Sequence, residues 1–151
     1  MAHRRTTAVD NVSRRTRNPF ELDPPCDPFV PGYGNTNADF HVIGDHPGRH
    51  GGAETGIPFT GSAAGEAIQS VLSAVGLVRA TGDRPLVDNL YLSYLHLCVT
   101  DEDPTPREYA EMERFFDAEL RAITAHVLLP VGEQAIEYVL ENYSPVHTED
   151  L

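Results

Sequence analysis

The stretch FHVIGDHPGRHGGAETGIPFTG, residues 40–61, has the pattern of a short buried strand followed by a glycine-rich loop and the start of a helix. The apolar run ends at Gly44, and the loop after it carries Asp45 before closing on PFTG, residues 58–61. In an α/β sheet, ligands bind at the loops that follow the carboxyl ends of the strands, and glycines there let backbone N–H groups approach a ligand closely. Asp45 and Phe59 place a carboxylate and an aromatic ring at the two ends of this loop. We therefore predict a binding or catalytic site in it.

Length and composition indicate one globular domain. The chain has 151 residues, of which 40% are hydrophobic, and a domain of this size buries enough surface to form a core. No apolar run approaches the ~20 residues of a membrane helix, and the first residues lack a hydrophobic signal core. We therefore expect a cytoplasmic protein without a membrane partner. Cys26 and Cys98 are the two cysteines, and in that compartment we expect reduced, buried thiols.

The charge balance is strongly acidic. There are 23 acidic residues against 11 basic ones, all of them arginine, and the net charge is −12. Such a surface repels DNA phosphates at low salt. Excess carboxylate is also a solubility device in molar salt, where the Debye length falls to about 3 Å, so this halophile-like composition does not exclude nucleic acid as a partner.

The N-terminal segment differs from the rest of the chain. Five arginines lie within residues 1–17, and that stretch has no apolar period. We predict a disordered basic arm over residues 1–19, which is either simply solvated or in contact with phosphates, and a folded α/β domain over residues 20–151.

Hydrophobic periodicity predicts three strands that alternate with three helices. The strands are expected at 39–43, within the run 86–99, and at 127–131, and the helices at 62–75, 105–124 and 133–142. This β-α-β-α-β-α order implies parallel strands with right-handed crossovers. The predicted fold class is α/β, a three-layer α/β/α arrangement with a parallel central sheet. Three strands are few for such a sheet, so we expect the fold to be incomplete at the C-terminus.

The helix patterns also predict caps and buried faces. Ser62 is a candidate N-cap, and TPRE, residues 105–108, is a capping box with proline at the first helical position. The residues expected on the inward faces of the first and last helices are Ala64, Ile68, Val71, Leu72 and Val75, and Ile136, Val139 and Leu140.

Two motifs resemble the uracil-DNA glycosylase superfamily. GDHPG, residues 44–48, follows a strand, and GIPFTG, residues 56–61, opens a helix; they are similar to the GEAPG and G-x-PF-x-G motifs of the iron–sulfur branch of that superfamily. PGYG at residues 31–34, the helix at 104–120 and the turn at 129–135 also resemble that branch, in the same order. The resemblance implies the superfamily's α/β fold and hydrolysis of the N-glycosidic bond of uracil, or of another damaged base, flipped out of DNA during base-excision repair.

The resemblance assigns roles to loop residues. Asp45 stands at the position of the branch's glutamate, which activates the attacking water and steadies a cationic transition state. Phe59 stands where an aromatic ring stacks on the flipped base. Gly48 replaces a tyrosine that excludes thymine in the most stringent enzymes. The remaining substrate-binding residues implied for this loop are Gly44, His46 and Pro47.

The chain departs from the branch at several positions. Tyr94 stands where an asparagine reads the uracil edge, and a hydroxyl lacks the paired donor and acceptor of an amide. Cys26 and Cys98 match two of the four cluster cysteines, but Phe29 and Met112 stand at the other two. Two thiolates do not hold a four-cysteine cluster, so we predict no cofactor and an apolar patch in its place. The later His-Pro-Ser loop of the family has no counterpart, since His147 does not match it.

Structural alternatives exist for each of these residues. Asp45 is also a common turn residue, and Phe59 could be a core aromatic. His46, His50 and Asp45 could form a metal site, but H-x-x-x-H suits zinc only on a helix, and neighbouring glycines argue against a helix here, so we predict no metal. For the whole chain, the main alternative to a monomeric glycosylase is a non-catalytic nucleic-acid or nucleobase binding module derived from the same fold. A weaker alternative is a hydrolase that uses the same crevice for a small molecule other than a nucleic acid.

Overall fold

The computed structural model describes residues 17–143 as a four-stranded sheet with helices on both faces, and a separate two-stranded hairpin. The strands are β1 (Tyr33–Gly34), β2 (Phe40–Gly44), β3 (Val78–Ala80), β4 (Leu86–Val87), β5 (Leu90–Tyr94) and β6 (Val127–Pro130), and the helices are α1 (Pro47–His50), α2 (Ala63–Ala74), α3 (Pro106–Ile123) and α4 (Glu133–Tyr143).

The main sheet has the order β1-β5-β2-β6. Strand β2 lies between β5 and β6 and is parallel to both, with Gly44 opposite Tyr94 at the carboxyl end. The predicted parallel central sheet is therefore confirmed. Strand β1, which pairs antiparallel with β5, was not predicted, because a two-residue strand shows no periodicity.

Helices cover both faces of the sheet. Adjacent residues of β2 point to opposite sides: Val42 packs in one cluster with Leu72 of α2, whereas Ile43 packs in another with Phe116 of α3 and Ala135 of α4. All five residues of β5 are buried, as expected for a strand covered on both sides. The predicted three-layer α/β/α arrangement is confirmed.

Both predicted helix starts have the expected caps. The Ser62 hydroxyl accepts a hydrogen bond from the N–H of Gly65 at 3.0 Å. In α3, the Thr105 hydroxyl accepts from the N–H of Glu108 at 3.2 Å, and the Glu108 carboxylate accepts from the N–H of Thr105 at 2.8 Å, which completes the capping box.

The predicted inward faces of two helices were partly wrong. Val71 and Val75 of α2 are 62% and 67% exposed. Gly65, Gln69 and Leu72 are the buried residues of this helix, because the Gln69 amide turns inward and donates to the backbone carbonyls of Phe59 and Gly82 at 2.7 and 3.0 Å.

In α4 the buried residue is Ala135, whereas Ile136 is 42% exposed. The small side chain of Ala135 faces the sheet, and its backbone N–H is directed at the end of β2.

The two cysteines are not reduced thiols. Cys26 and Cys98 form a disulfide, with 6.0 Å between their Cα atoms. The segments that carry them run side by side, because Phe29 forms an antiparallel bridge with Cys98 and the N–H of Val30 donates to Leu97 O at 2.7 Å. The expectation of free thiols was wrong because it rested only on the expected cellular compartment. The sequence does not show that two residues so distant along the chain are adjacent in the fold.

Most of the predicted basic arm, residues 1–16, lies outside the described residues. Arg17 is described, and its guanidinium donates to Gly56 O at 2.7 Å and to Phe29 O at 3.3 Å. Within residues 17–143, no helix has both the length and the apolar character needed to cross a membrane.

Candidate active site

The candidate site lies where β2 and β5 end side by side. Gly44 and Tyr94 are opposite each other at this edge, and the following loop folds back so that Phe59 packs against both. A Cβ on Gly44 would lie 2.8 Å from Phe59 Cζ and 2.9 Å from Tyr94 Cδ1 and Cε1. Glycine at position 44 is therefore required for the two rings to pack directly on the strand backbone.

Asp45 is almost completely buried, with 1% of its surface exposed. Its Oδ1 accepts a hydrogen bond from the N–H of Ala135, in the first turn of α4, at 2.7 Å. Its Oδ2 lies 3.6 Å from a guanidinium nitrogen of Arg49 and has no hydrogen-bond partner among residues 17–143. The first turn of α4 and the Arg49 guanidinium both place positive charge beside this carboxyl group. One oxygen is thus fixed, and the other is left without a donor.

The start of α4 approaches Asp45 closely because residue 132 is glycine. Gly132 has a φ of +103°, and a Cβ there would lie 2.5–2.7 Å from the three carboxyl atoms of Asp45. Any side chain at this position would push the carboxylate away from Ala135.

His46 and His50 hold the short helix α1 in place. His46 caps α1, since its Nδ1 accepts from the N–H of Gly48 at 3.2 Å, and its Nε2 lies 3.3 Å from the exposed Asp103. His50 Nδ1 accepts from the N–H of Asp45 at 3.2 Å. Burial lowers the pKa of both rings below the ordinary histidine value, so both are neutral hydrogen-bonding groups at neutral pH.

The prediction that glycines prevent a helix in this loop was wrong, because α1 forms one turn from Pro47 to His50. Pro47 at the first position has a φ that suits a helix, Pro47 is buried, and Gly48 is exposed. Within residues 17–143, no group of three or more histidine, cysteine or carboxylate side chains is arranged to hold a metal ion.

Phe59, Tyr94 and His50 form an aromatic cluster beneath the loop. The Phe59 and Tyr94 ring centroids are 5.2 Å apart at an angle of 60°, and the His50 ring stacks on Tyr94 at 6.1 Å. The Tyr94 hydroxyl donates to Gly51 O at 2.7 Å and accepts from the N–H of Phe59 at 2.8 Å. Both Phe59 and Tyr94 are 0% exposed, and burial raises the Tyr94 pKa above its ordinary value.

The four positions that match cluster ligands of the iron–sulfur branch come together, but they do not fit an iron–sulfur cluster. Cys26, Phe29, Cys98 and Met112 belong to one hydrophobic cluster with Leu97. The two cysteines are joined to each other, and neither a phenylalanine nor a thioether replaces a thiolate ligand. The expected apolar patch is thus present at this position.

Sequence reasoning predicted Asp45 as a site residue but did not predict the residues that contact it. Arg49 is four residues after Asp45, a spacing that suggests an ion pair only once a helical turn is recognised in this loop. Ala135 is 90 residues from Asp45, and nothing in the sequence pairs them directly. His50 was weighed only as a metal ligand, whereas it fixes the Asp45 backbone and packs on Tyr94.

Comparisons with known proteins identify the family of the chain. The family model for the uracil DNA glycosylase superfamily matches residues 31–149. The chain is 32% identical over 120 residues to a type-5 uracil-DNA glycosylase of Thermus thermophilus, covering 76% of this chain and 55% of that protein. It is 30% identical over 113 residues to a type-4 uracil-DNA glycosylase of Archaeoglobus fulgidus, covering 74% of this chain and 52% of that protein.

A type-5 uracil-DNA glycosylase of Pyrobaculum aerophilum is 30% identical over 118 residues, again with 74% of this chain and 52% of that protein covered. The chain therefore spans about half the length of the curated relatives it matches. The superfamily resemblance seen in the loop motifs is confirmed, and the chain belongs to the uracil DNA glycosylase superfamily.

Proposed function

We propose that this chain carries the catalytic loop of a DNA glycosylase that hydrolyses the N-glycosidic bond of uracil, or of another damaged base, in DNA. The observation that carries the proposal is the Asp45 carboxylate at the end of β2. Its Oδ1 is held by Ala135, and its Oδ2 has no hydrogen-bond donor among residues 17–143. A buried acceptor without a partner calls for a ligand or a water molecule, and the names of the relatives suggest which reaction uses it.

In the proposed reaction a water molecule supplies its oxygen to C1′ of the sugar. The C1′–N bond breaks, its electron pair leaves with the base, and the proton released by the water passes to the base or to solvent. Asp45 Oδ2 orients the water and stabilises the positive charge that develops on the sugar. Groups fixed in advance opposite such a charge contribute about 3–4 kcal/mol each, and the hydrogen bond from Ala135 supplies that fixation.

The rest of the loop forms the proposed base-binding site. Phe59 would offer its ring to the flipped base, and Gly44, His46 and Pro47 would line the approach to C1′. Gly48 carries no side chain that could exclude a 5-methyl group, which supports acceptance of more than one pyrimidine. The proposed substrate is DNA, bound by a monomer, with the acidic surface screened by salt.

An assay for abasic sites tests this proposal. The protein is incubated in molar salt with end-labelled single- and double-stranded DNA containing one uracil, and the DNA is then cleaved with alkali. We expect strand scission with the wild type and a loss of at least about 100-fold with Asp45→Asn. Asp103→Asn is the matched control, since it removes an exposed carboxylate that lies 3.9 Å from the same Arg49 guanidinium. It should change the rate by a few-fold at most. Wild-type scission that Asp45→Asn retains would refute the role of Asp45.

A non-catalytic binding module is the second candidate. The burial of Phe59 and Tyr94 favours it, because a flipped base would find no exposed ring to stack on. Such a module would shift the mobility of uracil-containing DNA without producing alkali-sensitive sites. Scission in the same reactions would exclude it.

A further inference from the structure

Tyr94 lies in the middle of the candidate site but has no part in the reaction proposed above. It is the last residue of β5, opposite Gly44 of β2, and its ring packs against the Phe59 and His50 rings, which also contact each other. The space beside the Gly44 backbone is thus filled by a six-membered ring that belongs to the protein itself.

The hydrogen bonds of the Tyr94 hydroxyl show which polar groups line the space that the ring occupies. The hydroxyl donates to the backbone carbonyl of Gly51 at 2.7 Å and accepts from the backbone N–H of Phe59 at 2.8 Å. One backbone acceptor and one backbone donor therefore converge on a single point. An adjacent N–H and C=O on the edge of a pyrimidine is the complementary pair, since the N–H would donate to Gly51 O and the C=O would accept from Phe59 N.

The loop backbone is set to present these two groups. Gly51 has a φ of +103° and Phe59 a φ of +61°, both in the left-handed region. A phenylalanine at positive φ is uncommon and disfavoured, and it is kept by the surrounding contacts, which include the hydrogen bond from Gln69 to Phe59 O at 2.7 Å. Backbone strain of this kind is concentrated at ligand sites.

We propose that Tyr94 occupies the nucleobase position of this site as an internal substitute for a pyrimidine, and that its ring must swing out before a base can enter. The inference rests on the proposed function for the identity of the ligand as a nucleobase. Tyr94 is then a specificity and positioning residue. Its hydroxyl competes with the base edge for Gly51 O and Phe59 N–H, and does not itself read the base.

Binding of free uracil tests the proposal independently of catalysis. Tyr94→Ala removes the ring, and engineered cavities lined by packed side chains do bind small rings of matching shape. We expect Tyr94→Ala to bind uracil at least ten-fold more tightly than the wild type in titration calorimetry. We also expect p-cresol, the equivalent of the removed side chain, to bind and to compete with uracil.

The matched control is Tyr33→Ala. Tyr33 is also fully buried, and its hydroxyl donates to Pro85 O at 2.7 Å, so this variant removes an equal volume and the hydrogen bond to Pro85 at another position of the same core cluster. It should show no gain in uracil affinity. Binding of p-cresol without uracil to Tyr94→Ala, binding of neither, or equal uracil affinity in the wild type and Tyr94→Ala would each overturn the proposal.

Tyr94→Phe provides a second test if Tyr94→Ala does not fold. It keeps the ring but loses both hydrogen bonds of the hydroxyl, so the ring leaves more easily. Uracil affinity should rise at least three-fold over the wild type, and kcat/KM for uracil release should rise with it. A fall in both would mean that the hydroxyl reads the base directly, which overturns the inference. Absence of base release by both the wild type and Tyr94→Ala, combined with uracil binding by Tyr94→Ala, would refute the proposed function and leave the Tyr94 inference standing.

Discussion

The backbone N–H of Ala135 donates a hydrogen bond to Asp45 Oδ1 at 2.7 Å and so joins two positions 90 residues apart. Through this contact the start of α4 fixes the carboxylate at the end of β2. The same contact satisfies a backbone N–H in the first turn of the helix, where no intrahelical acceptor exists. This one hydrogen bond therefore contributes both to the stability of the fold and to the orientation of the candidate catalytic group.

Two substitutions at Asp45 separate these effects. Asp45→Asn keeps an oxygen acceptor for Ala135 and should lower the free energy of unfolding by about 1 kcal/mol or less. Asp45→Ala leaves that N–H buried without a partner and should cost about 2–3 kcal/mol. Both variants should lose base release, because both lack the charge. Urea denaturation and the abasic-site assay measure the two quantities, and equal stability of the two variants would contradict the anchoring role of Ala135.

Gly132→Ala tests whether the close approach of α4 orients Asp45. The new Cβ would meet the carboxyl atoms at 2.5–2.7 Å, so the carboxylate must move. We expect base release to fall at least ten-fold. Gly76→Ala is the control, since Gly76 also has a positive φ, +86°, but a Cβ there would have no neighbour within 4 Å among residues 17–143. Both variants should lose about 1 kcal/mol of stability from backbone strain. Only Gly132→Ala should lose activity and further stability, because only there does the new Cβ displace the Asp45 carboxylate from Ala135. Unchanged activity in Gly132→Ala would argue against a precise position for Asp45.

The burial of Glu119 should make the free energy of unfolding depend on pH, independently of the candidate active site. This residue of α3 is fully buried, accepts from the Tyr91 hydroxyl at 2.6 Å and from the N–H of Gly32 at 3.0 Å, and burial raises its pKa to about 7 from 4.5. Between these two values the folded state holds a proton that the unfolded state has lost, so stability falls as the pH rises from about 4.5 to about 7. The fall is on the order of 3 kcal/mol.

The comparison with Glu119→Gln isolates this contribution. Burial lowers the pKa of His41 to about 3, which makes stability rise with pH between about 3 and 6.5 and opposes the effect of Glu119. His41 is present in both proteins, so its effect cancels in the difference. Urea denaturation at several pH values should show the wild type losing stability relative to Glu119→Gln across the window from about 4.5 to about 7. A constant difference would mean that Glu119 is ionised throughout.

The features that the sequence predicted correctly are those encoded locally. The strand that ends at Gly44 follows from its apolar run, and the start of α3 follows from the Thr105–Glu108 capping box. The buried strand β5 follows from apolar residues on both of its faces. Asp45 and Phe59 were proposed as site residues because they lie in one short motif whose order is that of the superfamily, and their roles stay predictions.

The features that were missed depend on contacts between residues distant in sequence, or on a backbone conformation that the intrinsic propensities of the residues disfavour. Helix α1 contains Gly48 and is stabilised by the His46 cap, which no propensity pattern signals. Val71 has the helical spacing of a core residue but is exposed, because Gln69 takes the inward position to bind the Phe59 backbone. The position of Tyr94 at the end of a strand was predicted. Its hydrogen bonds to the backbone of Gly51 and Phe59 were not, because they form only when the loop has folded back onto the strand.

The disulfide between Cys26 and Cys98 provides the last test. It closes a loop with a sequence separation of 72, for which the chain-entropy model gives a stabilisation of about 4 kcal/mol, with about 2–4 kcal/mol typical of measured values. Adding a reductant to the wild type should lower the free energy of unfolding by that amount. The double variant Cys26→Ala and Cys98→Ala should be equally destabilised and insensitive to reductant, because its patch with Met112 stays apolar. If the wild type were equally stable with and without reductant, the two cysteines would be free thiols, as the sequence alone suggests.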